Sequence, residues 1–298
     1  MSNKPFFSVI IATYNRAEFI VKTIQSIINQ KFNDFEIVIV DDGSTDNTEV
    51  VLAPYLSEKI LYFKKENGER GAARNYGIKQ AKGTFLTFID SDDLMYDNHL
   101  EEAFKFLTEN DEVVFYGQGY ETKSQSGQVL IFHKEVLNPN QSLLEGNFLS
   151  CIGVFINRQN FVDEGFVFSE IRKFSGTEDW ACWLQVLARY RLCYQNIVTA
   201  CMIEHDTRSV LHFKEQQLLD RTNILVEILS NDHVFSAVFG KMVINKIEAH
   251  MLSYGALHLA LSKQKKQAVN WYLKAISKNW KELFLRRFLA TVKIVLLK

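Results

Sequence analysis

The run Asp90-Ser91-Asp92-Asp93 places three carboxylates within four positions, directly after the apolar stretch Phe85-Leu86-Thr87-Phe88-Ile89. Carboxylates at the mouth of a buried strand repel one another unless a cation or hydrogen-bond donors compensate them. Mg2+ and Mn2+ are hard ions that suit a few carboxylates plus phosphate oxygens. An Asp-x-Asp there can hold a metal that bridges a nucleotide diphosphate and stabilises charge growing on a leaving group. The same residues also suit a helix cap, with a helix following from Asp97.

Four other groups bear on chemistry. In Asp41-Asp42-Gly43-Ser44-Thr45-Asp46 a carboxylate can accept from a nucleobase NH or a ribose hydroxyl, while Gly43 permits a sharp turn. Taken alone, the cluster is better accounted for by a plain turn with a helix N-cap. In Asn67-Gly68-Glu69-Arg70-Gly71-Ala72-Ala73-Arg74-Asn75 the glycines allow close backbone approach, and Arg70 or Arg74 can face diphosphate oxygens or sit in surface ion pairs. Glu178-Asp179-Trp180, with Trp183 about one turn later, sets a carboxylate beside aromatic rings. That suits general-base work on a sugar hydroxyl with rings stacked on the pyranose, or an acidic helix start with both indoles in the core. His205, in Glu204-His205-Asp206, either completes a metal shell, contacts phosphate or serves structure. No GxGxxG and no P-loop lysine occurs, which argues against dinucleotide binding and ATP hydrolysis.

Such residues need a frame. Continuous apolar runs at 7–12, 35–40, 60–63 and 84–89 read as buried strands, and helical spacing fills 16–29, the segment from Thr45 or Asp46 to about 54–57, and 72–81. Further strands are predicted at 112–120, 129–133 and 193–204. This alternation predicts an α/β fold with a mainly parallel sheet covered by helices on both faces. Ligands in such sheets sit at the carboxyl ends of strands. Thr13-Tyr14-Asn15, Asp41-Asp42 and Asp90-Asp93 each follow a strand, so they should converge. After His212 helical spacing dominates, and a boundary is expected there: a catalytic domain over 1–212 and a helical appendage over 213–298.

Composition narrows the class. The net charge of -1 gives no global bias toward nucleic acid or an anionic membrane. Cys151, Cys182, Cys193 and Cys201 show no CxxC spacing and read as free thiols in a reducing compartment. Neither a signal peptide nor an 18-residue apolar run is visible, so a cytoplasmic protein is expected. Charge is uneven, however: residues 263–298 hold ten Lys or Arg against one acid, Glu282, with Trp271, Trp280, Phe284 and Phe288 among them. Those helices suit the inner face of the cytoplasmic membrane, or packing on the catalytic domain or a partner subunit with the basic face solvated.

The ordered series from Val9 through Tyr14-Asn15, Phe35 through Asp46, Asn67-Gly68, Gly71 through Ile78, Ala81-Lys82-Gly83 and Phe88 through Asp93 resembles the inverting glycosyltransferases of family 2, with Glu178-Asp179-Trp180 and His205 extending the likeness. The resemblance implies the GT-A fold and transfer from a nucleotide-sugar, UDP above GDP or dTDP, to a glycan or lipid-linked acceptor in surface polysaccharide synthesis. It implies a divalent metal, Mn2+ or Mg2+. Ala12, Tyr14 and Asp42 would border the nucleoside, and Arg74 the diphosphate. Asp90 and Asp92 would be the ribose and metal carboxylates, with Ser91 on the donor, Asp93 beside them on the metal and His205 as a late metal or phosphate contact. Asp179 would be the catalytic base, with Glu178, Trp180 and Trp183 toward the acceptor. Ala12 departs from the proline of many relatives. The competing readings are a nucleotidyltransferase, which would release pyrophosphate, and a non-catalytic sugar-nucleotide or glycan-binding module; a homo-oligomer fits as well.

Overall fold

The computed structural model describes residues 4–131, 135–205 and 214–297. Its centre is a nine-stranded sheet. Strands β1 (Phe7–Thr13), β2 (Phe35–Asp41), β3 (Ile60–Lys64) and β4 (Phe85–Asp90) alternate with helices α1 (Ile20–Ile28), α2 (Thr48–Leu52) and α3 (Glu69–Gln80). β1 pairs in parallel with β2 and with β4, and β2 with β3. Alternate β1 side chains point to opposite faces. Phe7, Val9 and Ile11 join a core with Ile20, Ile24 and Ile27 of α1. On the other face α3 lies so close that a Cβ on Gly77 would sit 2.6 Å from Ile10 Cγ2. Burial on both faces is why these strands are apolar at nearly every position.

The register makes the site. Thr13 pairs with Asp41, and Ala12 with Asp90, so β1, β2 and β4 end level on one edge. The chain leaves β1 toward β2 on one side and returns to β4 on the other, which opens a crevice at that edge.

The expected parallel order holds for β1 to β4, and beyond β4 the sheet becomes mixed. The remaining elements are β5 (Leu94–Met95), α4 (His99–Glu109), β6 (Phe115–Ser124), β7 (Val129–Ile131), α5 (Pro139–Glu145), β8 (Val154–Asn157), α6 (Arg158–Asp163), α7 (Glu178–Leu187) and β9 (Leu192–Glu204). β8 runs antiparallel to β4 and β6, β7 antiparallel to β6, and β5 antiparallel to β9; only β6 and β9 are parallel. β5 and β8 have two and four residues, too few for any periodic signal.

Two compact units result. The sheet unit lies within Met1–Asn140, Leu149–Arg172 and Tyr190–Arg208; the helical unit lies within Gln141–Phe148, Lys173–Arg189 and Ser209–Lys298. The boundary expected near residue 212 falls outside the described residues, and the helical unit also takes in two segments from earlier in the chain. It contains α7, α8 (Glu215–Asn231), α9 (His233–Leu261, broken at Gly240 with φ 72), α10 (Lys265–Lys278) and α11 (Arg286–Leu297). Leu218, Leu252, Ala256, Leu259, Trp271 and Tyr272 form one of its cores. Among the described residues no helix is long and apolar enough to cross a membrane.

Asp232 ties α7, α8 and α9 together. Its carboxylate caps α9 through the Val234 and Phe235 N–H groups, both at 3.0 Å. It also takes both Arg189 guanidinium nitrogens, at 2.9 and 3.1 Å. Burial pushes the Asp232 pKa up, but Arg189, the Phe235 N–H and Gln185 outweigh it and hold the carboxyl below its ordinary value. Removing one partner of a buried pair strands the other charge, so Asp232→Ala should cost about 3 kcal/mol in urea unfolding. The stabilisation from Asp232 is present above the ordinary carboxyl range and should be lost as pH falls through its depressed folded value, which unfolding of the wild type against pH would register.

Candidate active site

At the end of β4, ligand oxygens of Asp90, Asp92 and Asp93 all lie within 4.8 Å of one another. Three negative charges that close require compensation, and cationic groups lie against two of them. Arg74, only 3% exposed on α3, donates from Nη2 to Asp90 Oδ1 at 2.7 Å. Its guanidinium lies over the Phe168 ring, 5.4 Å from the centroid. Asp92 Oδ2 is 2.9 Å from His205 Nε2 and 3.5 Å from Arg16 Nε. The buried His205 ring stacks on Phe19. Asp93 is turned inward at 1% exposure and accepts the Ile203 N–H at 3.1 Å. That bond and the β5–β9 pairing bring the end of β9, and so His205, to the carboxylates. Clustered carboxylate oxygens with one imidazole fit a hard divalent ion of the Mg2+ or Mn2+ kind.

The end of β2 is equally ordered. Asp42 Oδ1 accepts Lys65 Nζ at 2.7 Å and the Gly68 N–H at 2.9 Å, and its carbonyl accepts Asn67 Nδ2 at 3.0 Å. Asp42 thereby fixes the loop that enters α3. Asp41 accepts the Ser44 N–H at 2.7 Å and the Tyr62 hydroxyl at 2.6 Å; burial first, then this carboxylate, drive the Tyr62 pKa far up. Asn15 adopts φ 51, a left-handed conformation that Asn tolerates. Its Oδ1 accepts the Thr45 N–H at 2.8 Å, and its own N–H donates to Ser44 Oγ at 2.8 Å, linking the ends of β1 and β2. Half-buried Ala12 lies at the end of β1, followed by Tyr14 at 46% exposure; Ser91 is buried. Sequence reasoning placed Asn15 in the cluster after β1 but missed Arg16 and Lys65 as partners, although each stands within a few residues of a polar strand end.

Residues 168–172 lie along α3 and hold Arg74 from behind. Asn75 accepts the Phe168 N–H at 2.9 Å and donates to the Phe168 carbonyl and to Glu170 Oε1, each at 2.8 Å. Arg172 reaches Asn67 and Glu69, both at 2.8 Å. A Cβ on Gly71 would stand 2.2 Å from the Ser169 carbonyl oxygen, so only glycine fits there.

In the helical unit, half-buried Asp179 opens α7. Its Oδ1 accepts the Trp180 N–H at 2.7 Å and Oδ2 accepts Asn147 Nδ2 at 3.1 Å. Glu178, Trp180 and Trp183, the residues expected toward the acceptor, are all buried. Glu178 is 2% exposed and folds onto the Thr177 N–H at 3.0 Å. Trp180 is 3% exposed with its indole N–H on the Leu143 carbonyl at 2.9 Å, and Trp183 is fully buried. α7 is apolar on most of its circumference, and both indoles pack in the interior.

A parallel half-sheet that ends in an aspartate cluster, continued by a mixed half, defines the class: a GT-A glycosyltransferase fold. The structure matches that of S. aureus TarS 1-349 in complex with UDP-GlcNAc at a TM-score of 0.70 and 20% identity, over 97% of this chain and 88% of that one, a likeness of fold alone. The profile of Glycosyl transferase family 2 matches residues 8–156, and the chain belongs to that family. It is similar to the putative teichuronic acid biosynthesis glycosyltransferase TuaG of Bacillus subtilis, 30% identical over 68% of this chain and 79% of TuaG. It is also similar to an uncharacterized glycosyltransferase of Rickettsia typhi, 31% identical over 69% of this chain and 66% of that one. The chain spans 66%, 31% and 18% of the length of three Rickettsia relatives.

Gly71→Ala should force residues 168–170 off α3. A loss of about 1–3 kcal/mol in denaturant unfolding is expected, as for other overpacked positions.

Proposed function

We propose that this chain transfers a sugar from a UDP-sugar to a hydroxyl of a glycan or lipid-linked saccharide, with inversion, in the synthesis of a surface polysaccharide. The observation that carries this reading is the aspartate cluster at the end of β4, faced by Arg74 and His205 at a crevice of the parallel strands. A cluster so compensated suits a diphosphate and its metal far better than it suits a neutral ligand. The UDP-GlcNAc complex of TarS and the putative teichuronic acid biosynthesis role of TuaG support the donor and the pathway class.

In this reading Asp92, Asp93 and His205 would hold the divalent ion. When bound, it supplies positive charge to the diphosphate as the leaving group takes on negative charge. Ala12, Tyr14 and Asp42 border the nucleoside, Asp90 meets the ribose, and Ser91 sits beside it. Arg74 is fixed by Asp90 and Phe168 before the donor arrives, so it meets diphosphate charge without reorganising. Asp179 takes the proton of the acceptor hydroxyl. That oxygen bonds to the anomeric carbon from the face opposite the nucleotide, and the anomeric C–O bond breaks with its electron pair leaving on the diphosphate.

The test is nucleoside diphosphate release from UDP-, GDP- and dTDP-sugars, with Mn2+ or Mg2+ and with chelator, using glycan and lipid extracts as acceptors. One donor should give metal-dependent release, and Asp92→Ala should abolish it. Pyrophosphate release from nucleoside triphosphates would indicate a nucleotidyltransferase instead. Asp179→Asn should retain donor binding by calorimetry and lower turnover by about 100-fold or more, the usual worth of a general base. Unchanged turnover would remove Asp179 from that role.

A further inference from the structure

A second surface with chemistry of its own runs from Trp280 to Leu296 in the helical unit. Trp280 is 62% exposed and Phe284 76%, their rings edge to face at 5.7 Å. α11 follows with two distinct faces. Phe288, Ile294 and Val295 pack on the core of the helical unit, Thr291 is buried, and Arg287 is pinned by the His250 carbonyl at 2.9 Å and Ser253 Oγ at 2.8 Å. The opposite stripe is Arg286, Leu289, Lys293 and Leu296, at spacings of three, four and three, and all four are exposed. Lys281, Leu283 and Leu285 extend it toward Trp280, and they too are exposed.

The charge on this surface has one sign. Between 280 and 296 the only acid is Glu282, and it is buried at 3% exposure. Exposed bases thus alternate with exposed leucines and aromatic rings with no acid facing water among them. Ordinary solvent-facing helices mix the two signs and keep large apolar residues inward. A symmetric contact with a second copy of this chain would set like charges face to face.

We infer that this stripe docks on an anionic phospholipid bilayer. Trp280, Phe284, Leu289 and Leu296 enter the boundary between headgroups and acyl chains, while Lys281, Arg286 and Lys293 lie over the phosphates. The segment lies on the membrane and does not span it: the 12 residues of α11 measure roughly 18 Å, against a hydrocarbon core of about 30 Å.

The test is flotation of the full chain with vesicles of phosphatidylcholine alone or mixed with phosphatidylglycerol. Binding should need the anionic lipid and weaken at high salt. The triple variant K281E/R286E/K293E should bind at least about 100-fold more weakly, since each cation near such a surface contributes roughly 1 kcal/mol. Trp180, Trp183 and Trp271 are buried, so Trp280 dominates the change in fluorescence on binding. Its emission should shift to the blue with anionic vesicles, and Trp280→Phe should lose that shift. Circular dichroism checks that each variant is folded. Absence of binding to the anionic vesicles, or equal binding to neutral ones, overturns the inference. So does a dimer that L289S/L296S dissolves while vesicle binding is nil. Sugar transfer is not part of the readout, so the outcome is separate from the fate of the proposed activity.

Discussion

Mutual repulsion among Asp90, Asp92 and Asp93 is the constraint on which the sheet unit depends. Three carboxylates with ligand oxygens inside 4.8 Å would push the end of β4 apart if nothing faced them. The fold answers with groups from distant parts of the chain: Arg16 after β1, Arg74 on α3, and His205 after β9. Two of them rest on aromatic rings, Phe19 under His205 and Phe168 under Arg74. Interactions that look merely structural, such as the Asn75 bonds to residue 168, therefore serve the electrostatics of the site.

The other strand ends follow the same economy. Asp41 and Asp42 are both buried, yet each is spent on backbone N–H groups, a phenol or an ammonium within the sheet unit. Asp46 is similar: burial works against its charge, and hydrogen bonds from Thr48 and the Ala17 N–H hold its carboxyl below the ordinary value. The loops around the crevice are consequently cross-linked by their own hydrogen bonds, an arrangement that suits electrostatic stabilisation without reorganisation.

Much of this was legible in the sequence, for a definite reason. β1 to β4 are buried on both faces, so their apolar runs have unmistakable ends, and polar residues just past those ends had to share an edge. What stayed hidden was non-local or too short to have a period. Leu94–Met95 and Val154–Asn157 carry no pattern, so the antiparallel half of the sheet was out of reach. Likewise the residue types at Trp180 and Trp183 favour packing over a sugar platform without fixing which way an indole faces. Both indoles are buried. The link from His205 to Asp92 spans 113 positions, and no local spacing rule could announce it.

The inward turn of Asp93 also orders events in time. Its bond to the Ile203 N–H crosses 110 positions and joins the aspartate loop to the last strand of the sheet. Contacts of such long sequence separation form late, after the entropy of closing the intervening chain has been overcome. During synthesis the ribosome delivers the three aspartates well before residues 203–205, so the emerging half-domain displays acidic residues without the imidazole that completes them. The full set of side chains around the aspartates is thereby assembled only once the last strand of the sheet has joined.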